Sequence, residues 1–226
     1  MKKSLRLVVI SLLALSMLIM SGCLYGTYQI ADPVGQNNLH YAYYYAYAGY
    51  FSASDKALAD TNDIPTKIMS ATVMYGLLDQ LDLQVGYIGS SLGAGLKYSP
   101  DFNIPLRFAL LGSIYTDIKT ILIYPKIGGI ASYHLNNNLT LSLGSQFYLK
   151  TDSTSNYNGE VFASLDIKRP NVFNYKIPDF FVNLLIPKAF QLNISYPINE
   201  PEKRLYLGVS LRHELDFNWD KSSKSI

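Results

Sequence analysis

Apolar and polar residues alternate along most of the chain. In the stretch LTLSLGSQFYLK, Leu139, Leu141 and Leu143 alternate with Thr140 and Ser142. A period of two residues is typical of a β-strand that has one apolar and one polar face, and no long helical periodicity accompanies it. The pattern therefore predicts an all-β fold.

Polar turns divide the alternating segments into about ten predicted strands. Asp79-Gln80, Gly89-Ser90 and Asn136-Asn137-Asn138 provide short connections, whereas residues 53–66, 151–158 and 169–187 form longer ones. Pro125 cannot donate to a sheet ladder, so we expect a bulge or a strand start there. The predicted strands cover residues 41–51, 68–78, 81–88, 91–98, 104–115, 123–133, 139–150, 160–168, 190–196 and 204–212.

The two faces of these strands differ in a way that indicates which of them is enclosed. One face carries Leu, Ile, Val and Phe, and the other carries mostly Gly, Ser, Thr, Asn and Gln. Small uncharged polar side chains suit a crowded interior better than a free surface, which is usually rich in charges. No charge interrupts the apolar face at mid-strand, where a charge facing lipid would cost about 2–4 kcal/mol. The charged residues that share the polar parity, and that we expect to form a lumenal network, are Asp82, Lys97, Arg107, Lys126, Lys150, Glu160, Asp166 and Arg212.

This arrangement predicts a closed antiparallel up-and-down β-barrel of about ten strands that spans a membrane with its apolar face towards lipid. Over about residues 39–217 the chain resembles the small outer-membrane β-barrel proteins of bacteria, which have roughly 8 to 12 strands. The resemblance implies an even strand number, periplasmic termini and recognition by the outer-membrane insertion machinery. The alternative is a soluble, lipid-anchored periplasmic barrel that turns its apolar face inward and binds a hydrophobic ligand.

Composition agrees with a membrane protein and excludes some functions. The chain has 226 residues, of which 49% are hydrophobic and 16% charged, whereas about a quarter are charged in typical soluble domains. A net charge of +2 gives no reason to expect nucleic acid as a partner. The single cysteine, Cys23, excludes an intrachain disulfide and a metal cluster held by several thiolates.

The N-terminus predicts a bacterial targeting segment. Three basic residues within positions 2–6 precede an apolar run of 14 residues, 7–20, which is short for a membrane span and typical of a signal peptide. The run ends in Met20-Ser21-Gly22-Cys23, which resembles the lipobox of bacterial lipoproteins. The resemblance implies cleavage before Cys23 and a diacylglycerol on its thiol, and Leu24 in place of Asp implies the outer membrane. An ordinary signal peptide followed by a chance cysteine is the alternative.

The predicted organisation has four parts. Residues 1–22 form a lipoprotein signal peptide, 23–38 a lipid-anchored linker, 39–217 the β-barrel and 218–226 a C-terminal tail.

No catalytic chemistry is predicted. His40, His134 and His213 lack partners at a spacing that suggests a zinc site, so we expect neither a metal site nor a cofactor. The sequence instead predicts a lipid-anchored outer-membrane barrel that is not an enzyme and has a structural or narrow-pore role. Its expected partners are membrane lipid, through the acyl anchor at Cys23 and the barrel exterior, and the insertion machinery.

Overall fold

The structure is a computed structural model, and it describes residues 30–50, 67–88, 91–118, 121–149, 158–169, 186–198 and 204–216. The expectations for the signal peptide, Cys23, Lys150 and the C-terminal tail lie outside the described residues. Within the described ranges, no helix is long and apolar enough to cross a membrane.

Ten strands close into one antiparallel barrel in which sequence neighbours pair and the first strand pairs with the last. The predicted all-β, up-and-down barrel of about ten strands is therefore confirmed. The strands are β1 (Asn38–Tyr50), β2 (Lys67–Leu78), β3 (Leu81–Ile88), β4 (Ser91–Tyr98), β5 (Leu106–Asp117), β6 (Ile123–Asn136), β7 (Leu139–Tyr148), β8 (Asn158–Lys168), β9 (Ala189–Ile198) and β10 (Arg204–Asp216).

The two ends of the barrel differ in which strand ends they carry. One end, here called the terminal rim, is where β1 begins and β10 ends, with Asn38 opposite Asp216. The turn between β6 and β7 lies at the same rim, and there Asn136 Oδ1 accepts the N–H groups of Asn138 and Leu139 at 2.8 and 2.9 Å. The asparagine run therefore forms the tight turn that its composition predicts. The opposite end, the distal rim, carries the connection from β1 to β2.

Side chains alternate between the lumen and the outer surface along each strand. On β7, Ser142 is 0% exposed while its neighbour Leu143 is 57% exposed. The buried positions of β3 and β9 likewise include Asp82, Gln84 and Gln191, whereas leucine, isoleucine and valine face outward. The polar face is enclosed and the apolar face is outside, so the geometry contradicts the alternative of a barrel with an apolar interior.

Large aromatic side chains in the lumen lie against glycines of neighbouring strands. A Cβ on Gly208 would lie 2.3 Å from Tyr44 Oη, and a Cβ on Gly93 would lie 2.4 Å from Tyr115 Cδ1. Each ring therefore needs the space that a missing side chain leaves. Towards the distal rim the lumen is filled by a tightly packed cluster of Tyr44, Ala46, Ile68, Tyr148 and Tyr206.

Pro125 is accommodated near the start of β6. It is the third residue of that strand, and its carbonyl accepts the N–H of Leu149, which lies just beyond the end of β7. The nitrogen and carbonyl of one residue face the same neighbouring strand in an antiparallel ladder. The missing N–H of Pro125 therefore points towards β7, at the position where β6 begins to pair with that strand. This position agrees with the expected strand start.

Candidate functional site in the barrel lumen

A short segment that precedes β1 lies inside the barrel. Residues Ile30–Val34, here called the lumenal segment, belong to the stretch interpreted from sequence as a linker, yet Ala31 is 0% exposed. Two groups of inward-facing side chains enclose its apolar residues. Ala31 packs with Ala109, Leu111, Ile130 and Phe162, and Ile30 and Val34 pack with Ala42 and Met74.

Two glycines let the chain enter the lumen at the terminal rim. A Cβ on Gly76 would lie 1.8 Å from the carbonyl oxygen of Gly35, so the backbone passes directly over β2 at this point. Gly35 itself has a φ of 82°, which strongly favours glycine. The N–H of Asn37 donates to the carbonyl of Gly76 at 2.9 Å and fixes the entry point.

A buried ion pair holds the backbone of the lumenal segment. Lys97 Nζ lies 2.9 Å from Asp82 Oδ2, and the two side chains, opposite each other on β4 and β3, are 1% and 0% exposed. The N–H of Val34 donates to both carboxylate oxygens of Asp82 at 3.1 Å. Lys97 donates to the carbonyl of Asp32 at 2.7 Å and to that of Ile30 at 3.4 Å. Such additional hydrogen bonds offset the desolvation cost of a buried ion pair.

A second part of the lumen wall, on β6, binds the same segment. Ser132 Oγ accepts the N–H of Ala31 at 2.9 Å and lies 2.7 Å from Ser142 Oγ on β7. His134 Nε2 lies 3.0 Å from Asp32 Oδ1, and its Nδ1 lies 3.0 Å from Thr140 Oγ1. The segment is therefore bonded to β3, β4 and β6 and crosses the lumen between them.

Two further groups of predicted lumenal charges lie inside the barrel. Arg212 is 3.4 Å from Asp166 Oδ2 and 3.0 Å from Glu214 Oε1, and the guanidinium is almost fully buried. Lys126 lies 5.5 and 5.2 Å from the ring centroids of Tyr115 and Tyr148 and interacts electrostatically with Glu160. The structure thus brings predicted charges together in pairs of opposite sign.

The side chain of Arg107 is on the inward-facing side of β5, as expected, but the residue lies at the terminal rim. Its guanidinium bonds the carboxylate of Asp101, and the two side chains are 36% and 46% exposed. The N–H of Asn103 and the Arg107 guanidinium lower the pKa of Asp101. Arg107 therefore belongs to the rim and to solvent, because β5 begins only one residue before it.

Sequence reasoning missed several residues that complete these contacts. Ser132 carried a usable signal, since it lies on the polar face of a predicted strand. Asp32 and Asp101 had none, because their partners are decided by how a loop folds. Glu214 shares the parity of Arg212 on β10 but lies beyond the predicted end of that strand, residue 212.

A pocket of about 490 Å³, lined by both polar and apolar residues, lies at the terminal rim over the lumenal segment. Asp32 and Pro33 form its floor with Ala31, and Asp101, Arg107 and His134 contribute to its walls. The lumenal segment can therefore be reached from this end of the barrel. No group of three His, Cys, Asp or Glu side chains in the described ranges is placed to hold a metal ion.

The outer surface carries a shallow apolar groove of about 500 Å³ across β7 to β10. It lies above Ala163, whose small side chain leaves room between the leucines, isoleucine and valine around it. Its lining is suited to a hydrocarbon chain.

Comparisons with known proteins found no matching protein-family model and no matching curated protein. Several solved structures are similar in fold. A de novo designed transmembrane β-barrel aligns with 11% identity over 80% of this chain and 97% of its own, with a TM-score of 0.35. An outer-membrane channel from Pseudomonas putida F1 aligns with 10% identity over 84% of this chain and 100% of its own, with a TM-score of 0.43. A triple mutant of the Rhodopseudomonas blastica porin aligns with 14% identity over 66% of this chain and 55% of its own, with a TM-score of 0.30.

Proposed function

We propose that the protein is a β-barrel of the bacterial outer membrane, anchored by lipid at Cys23, with a structural role and a lumen that is closed in the described state. The observation that carries the proposal is the polarity of the two faces, since leucines such as Leu141 and Leu143 are exposed while Ser142 and Asp166 are enclosed. A soluble protein that left such a continuous apolar surface in water would aggregate.

The strand length supports the membrane assignment. The ten residues of β7 extend over about 34 Å, and a tilt of about 40° reduces their rise to about 26 Å. The apolar band of an outer-membrane barrel is about 25 Å tall. Tyr98 and Tyr133 face outward near the terminal rim, where their rings suit the boundary between hydrocarbon and headgroups.

The proposed lipid anchor adds a second attachment to the membrane. Each buried methylene group contributes about 0.8 kcal/mol, so a diacylglycerol on Cys23 would hold its end of the chain stably at a bilayer. Only seven positions separate Cys23 from Ile30, which an extended chain spans in at most about 25 Å. The anchor therefore remains near one of the two rims.

A narrow pore is the second candidate, and one observation favours it. Near the terminal rim the lumen is closed by Ile30–Val34, which is not part of any strand, so its departure would leave the barrel ladder intact. An open pore would also require the cluster around Tyr44 in the distal half of the lumen to move aside. Conductance of the purified protein in planar bilayers separates the two roles. Absence of current through a bilayer that contains inserted protein supports the structural role, and stepwise currents support the pore.

Membrane integration is tested with the Cys23→Ser variant, which cannot be acylated at that position. We expect the variant to remain in the outer-membrane fraction after alkaline extraction and to enter the detergent phase on phase separation. Recovery of the variant in the aqueous phase would show that lipid alone holds the protein, and would contradict the membrane-spanning proposal.

A further inference from the structure

We propose that the half of the lumen nearest the terminal rim is a binding site for a short peptide backbone, which the chain's own residues 30–34 occupy reversibly. This inference goes beyond the proposed function, because it concerns what the lumen recognises and not where the barrel resides.

The site recognises main-chain atoms more than side chains. Asp82 accepts the N–H of Val34, Lys97 donates to the carbonyls of Ile30 and Asp32, and Ser132 accepts the N–H of Ala31. These contacts satisfy donors and acceptors that every peptide carries. The contact of Asp32 with His134 involves a side chain of the segment. The chemistry of the site therefore fits a short peptide and not a lipid or a sugar.

The walls of the site also define the peptide that fits. Ala31 is enclosed among Ala109, Leu111, Ile130 and Phe162, so this position accepts a small side chain. The next residue, Asp32, reaches His134. Pro33 lacks an N–H and therefore leaves no donor unpaired, and its fixed φ lowers the entropy lost on binding. The preferred ligand is a short peptide with a small residue, an acidic residue and proline in that order.

Reversible occupancy follows from how the segment is attached. Its described contacts are hydrogen bonds to side chains of the lumen wall, the contact of Asp32 with His134 and small apolar contacts, and it contributes to none of the ten strand pairings. The pocket of about 490 Å³ at the terminal rim leaves Asp32 and Pro33 partly exposed on that side, while Ala31 is enclosed. A competing peptide could therefore approach from the terminal rim without opening the barrel.

Two variants weaken the contacts that keep the lumenal segment in place, one by a steric clash and one by loss of a hydrogen bond. In Gly76→Leu, the new side chain occupies the place of the Gly35 carbonyl, which lies 1.8 Å from the position of a Cβ. In Val34→Pro, the N–H accepted by Asp82 is removed. Gly112→Ala is the matched control, because a Cβ there meets nothing within 4 Å.

The readout is the rate at which an aqueous maleimide reacts with a thiol beneath the segment. Ser142→Cys places this thiol next to Ser132, and position 142 is 0% exposed. In detergent-purified protein carrying Ser142→Cys, we expect Gly76→Leu and Val34→Pro each to raise the rate at least about tenfold, while Gly112→Ala leaves it unchanged. A free peptide QIADPVG, residues 29–35, should restore slow labelling in Val34→Pro, where the residues of the barrel that form the site are unchanged, and a scrambled peptide should not.

The outcomes separate the inference from its alternatives. Unchanged labelling in both variants would show that the segment is a permanent part of the core and would overturn the inference. Faster labelling that QIADPVG does not slow would show that the lumen fails to bind a free peptide, which also overturns it. The measurement is made in detergent, so it does not depend on the membrane proposal. Failure of Cys23→Ser to integrate into membranes would leave its result unaffected.

Discussion

The carbonyl oxygen of Asp32 lies 2.7 Å from Nζ of Lys97, so a residue that precedes the barrel completes the hydrogen bonds of a lysine buried inside it. The same lysine is paired with Asp82, whose carboxylate binds the N–H of Val34. The ion pair and the lumenal segment therefore stabilise each other. The ion pair is enclosed, and loss of either the pair or the segment would leave unpaired polar atoms in the other.

This mutual dependence predicts a difference between single and double substitutions. Lys97→Met leaves the Asp82 carboxylate without its buried counter-ion, and we expect it to lower the free energy of unfolding by about 3–5 kcal/mol. Asp82→Leu with Lys97→Met removes both charges, and we expect only part of this loss to be recovered, because the N–H of Val34 and the carbonyl of Asp32 remain without these partners. Urea denaturation in detergent micelles measures both. Equal losses for the single and double variants would argue against a buried ion pair.

The position of each predicted charge determines how much stability it contributes. Asp166→Ala leaves Arg212 buried with one partner fewer, and we expect a loss of the same order, about 3–5 kcal/mol. Arg107→Ala removes an exposed rim contact, and we expect denaturation close to that of the unmodified protein. Denaturation of the two variants side by side is the measurement. A larger effect for Arg107→Ala would mean that the rim and the lumen have been assigned incorrectly.

The lumenal tyrosines predict which glycines can be replaced. Gly208→Ala places a methyl group 2.3 Å from Tyr44 Oη, and overpacking of this kind costs about 1–3 kcal/mol. Gly112→Ala adds the same methyl group to an outward position with no neighbour, so we expect no loss. Heat-modifiable mobility on gels, followed against temperature, compares the two variants. Equal thermal stability of Gly208→Ala and Gly112→Ala would contradict the close packing of Tyr44 against Gly208.

Acylation of Cys23 stays a prediction from the sequence. The basic start, the apolar run and Ser21-Gly22 before the cysteine are its basis. Mass spectrometry of the mature protein should find Cys23 as the N-terminal residue, with the added mass of a diacylglycerol. Cleavage at another bond, or an unmodified thiol, would exclude the lipid anchor and leave the barrel assignment standing.

The alternation of residues was sufficient to predict the barrel and the orientation of its faces. Because the side-chain period in a strand is two, the sequence LTLSLG assigns Leu143 to one face and Ser142 to the other without any knowledge of the partner strands. Parity also predicted that Asp82 and Lys97 share the lumen. It could not predict that Arg107 reaches solvent, because the depth of a residue depends on where its strand begins.

The lumenal segment could not be predicted from the sequence. Ile30–Val34 is too short to show a period, and it forms no strand. Its binding partners are far away in the chain, since Val34 and Asp82 are 48 positions apart and Ala31 and Ser132 are 101 apart. Contacts of this kind depend on closure of the whole barrel, which places β3, β4 and β6 around one lumen.

The most direct test of the account compares two neighbouring positions of β7 in intact outer membranes. Leu143→Cys and Ser142→Cys are each made in the otherwise unchanged chain and treated with a thiol reagent that dissolves in lipid. Because Leu143 is 57% exposed on the apolar face and Ser142 is 0% exposed in the lumen, we expect rapid labelling at position 143 and very slow labelling at 142. Labelling of position 143 by water-soluble reagents alone, or preferential labelling of 142 from lipid, would contradict a membrane-spanning barrel with its apolar face outward.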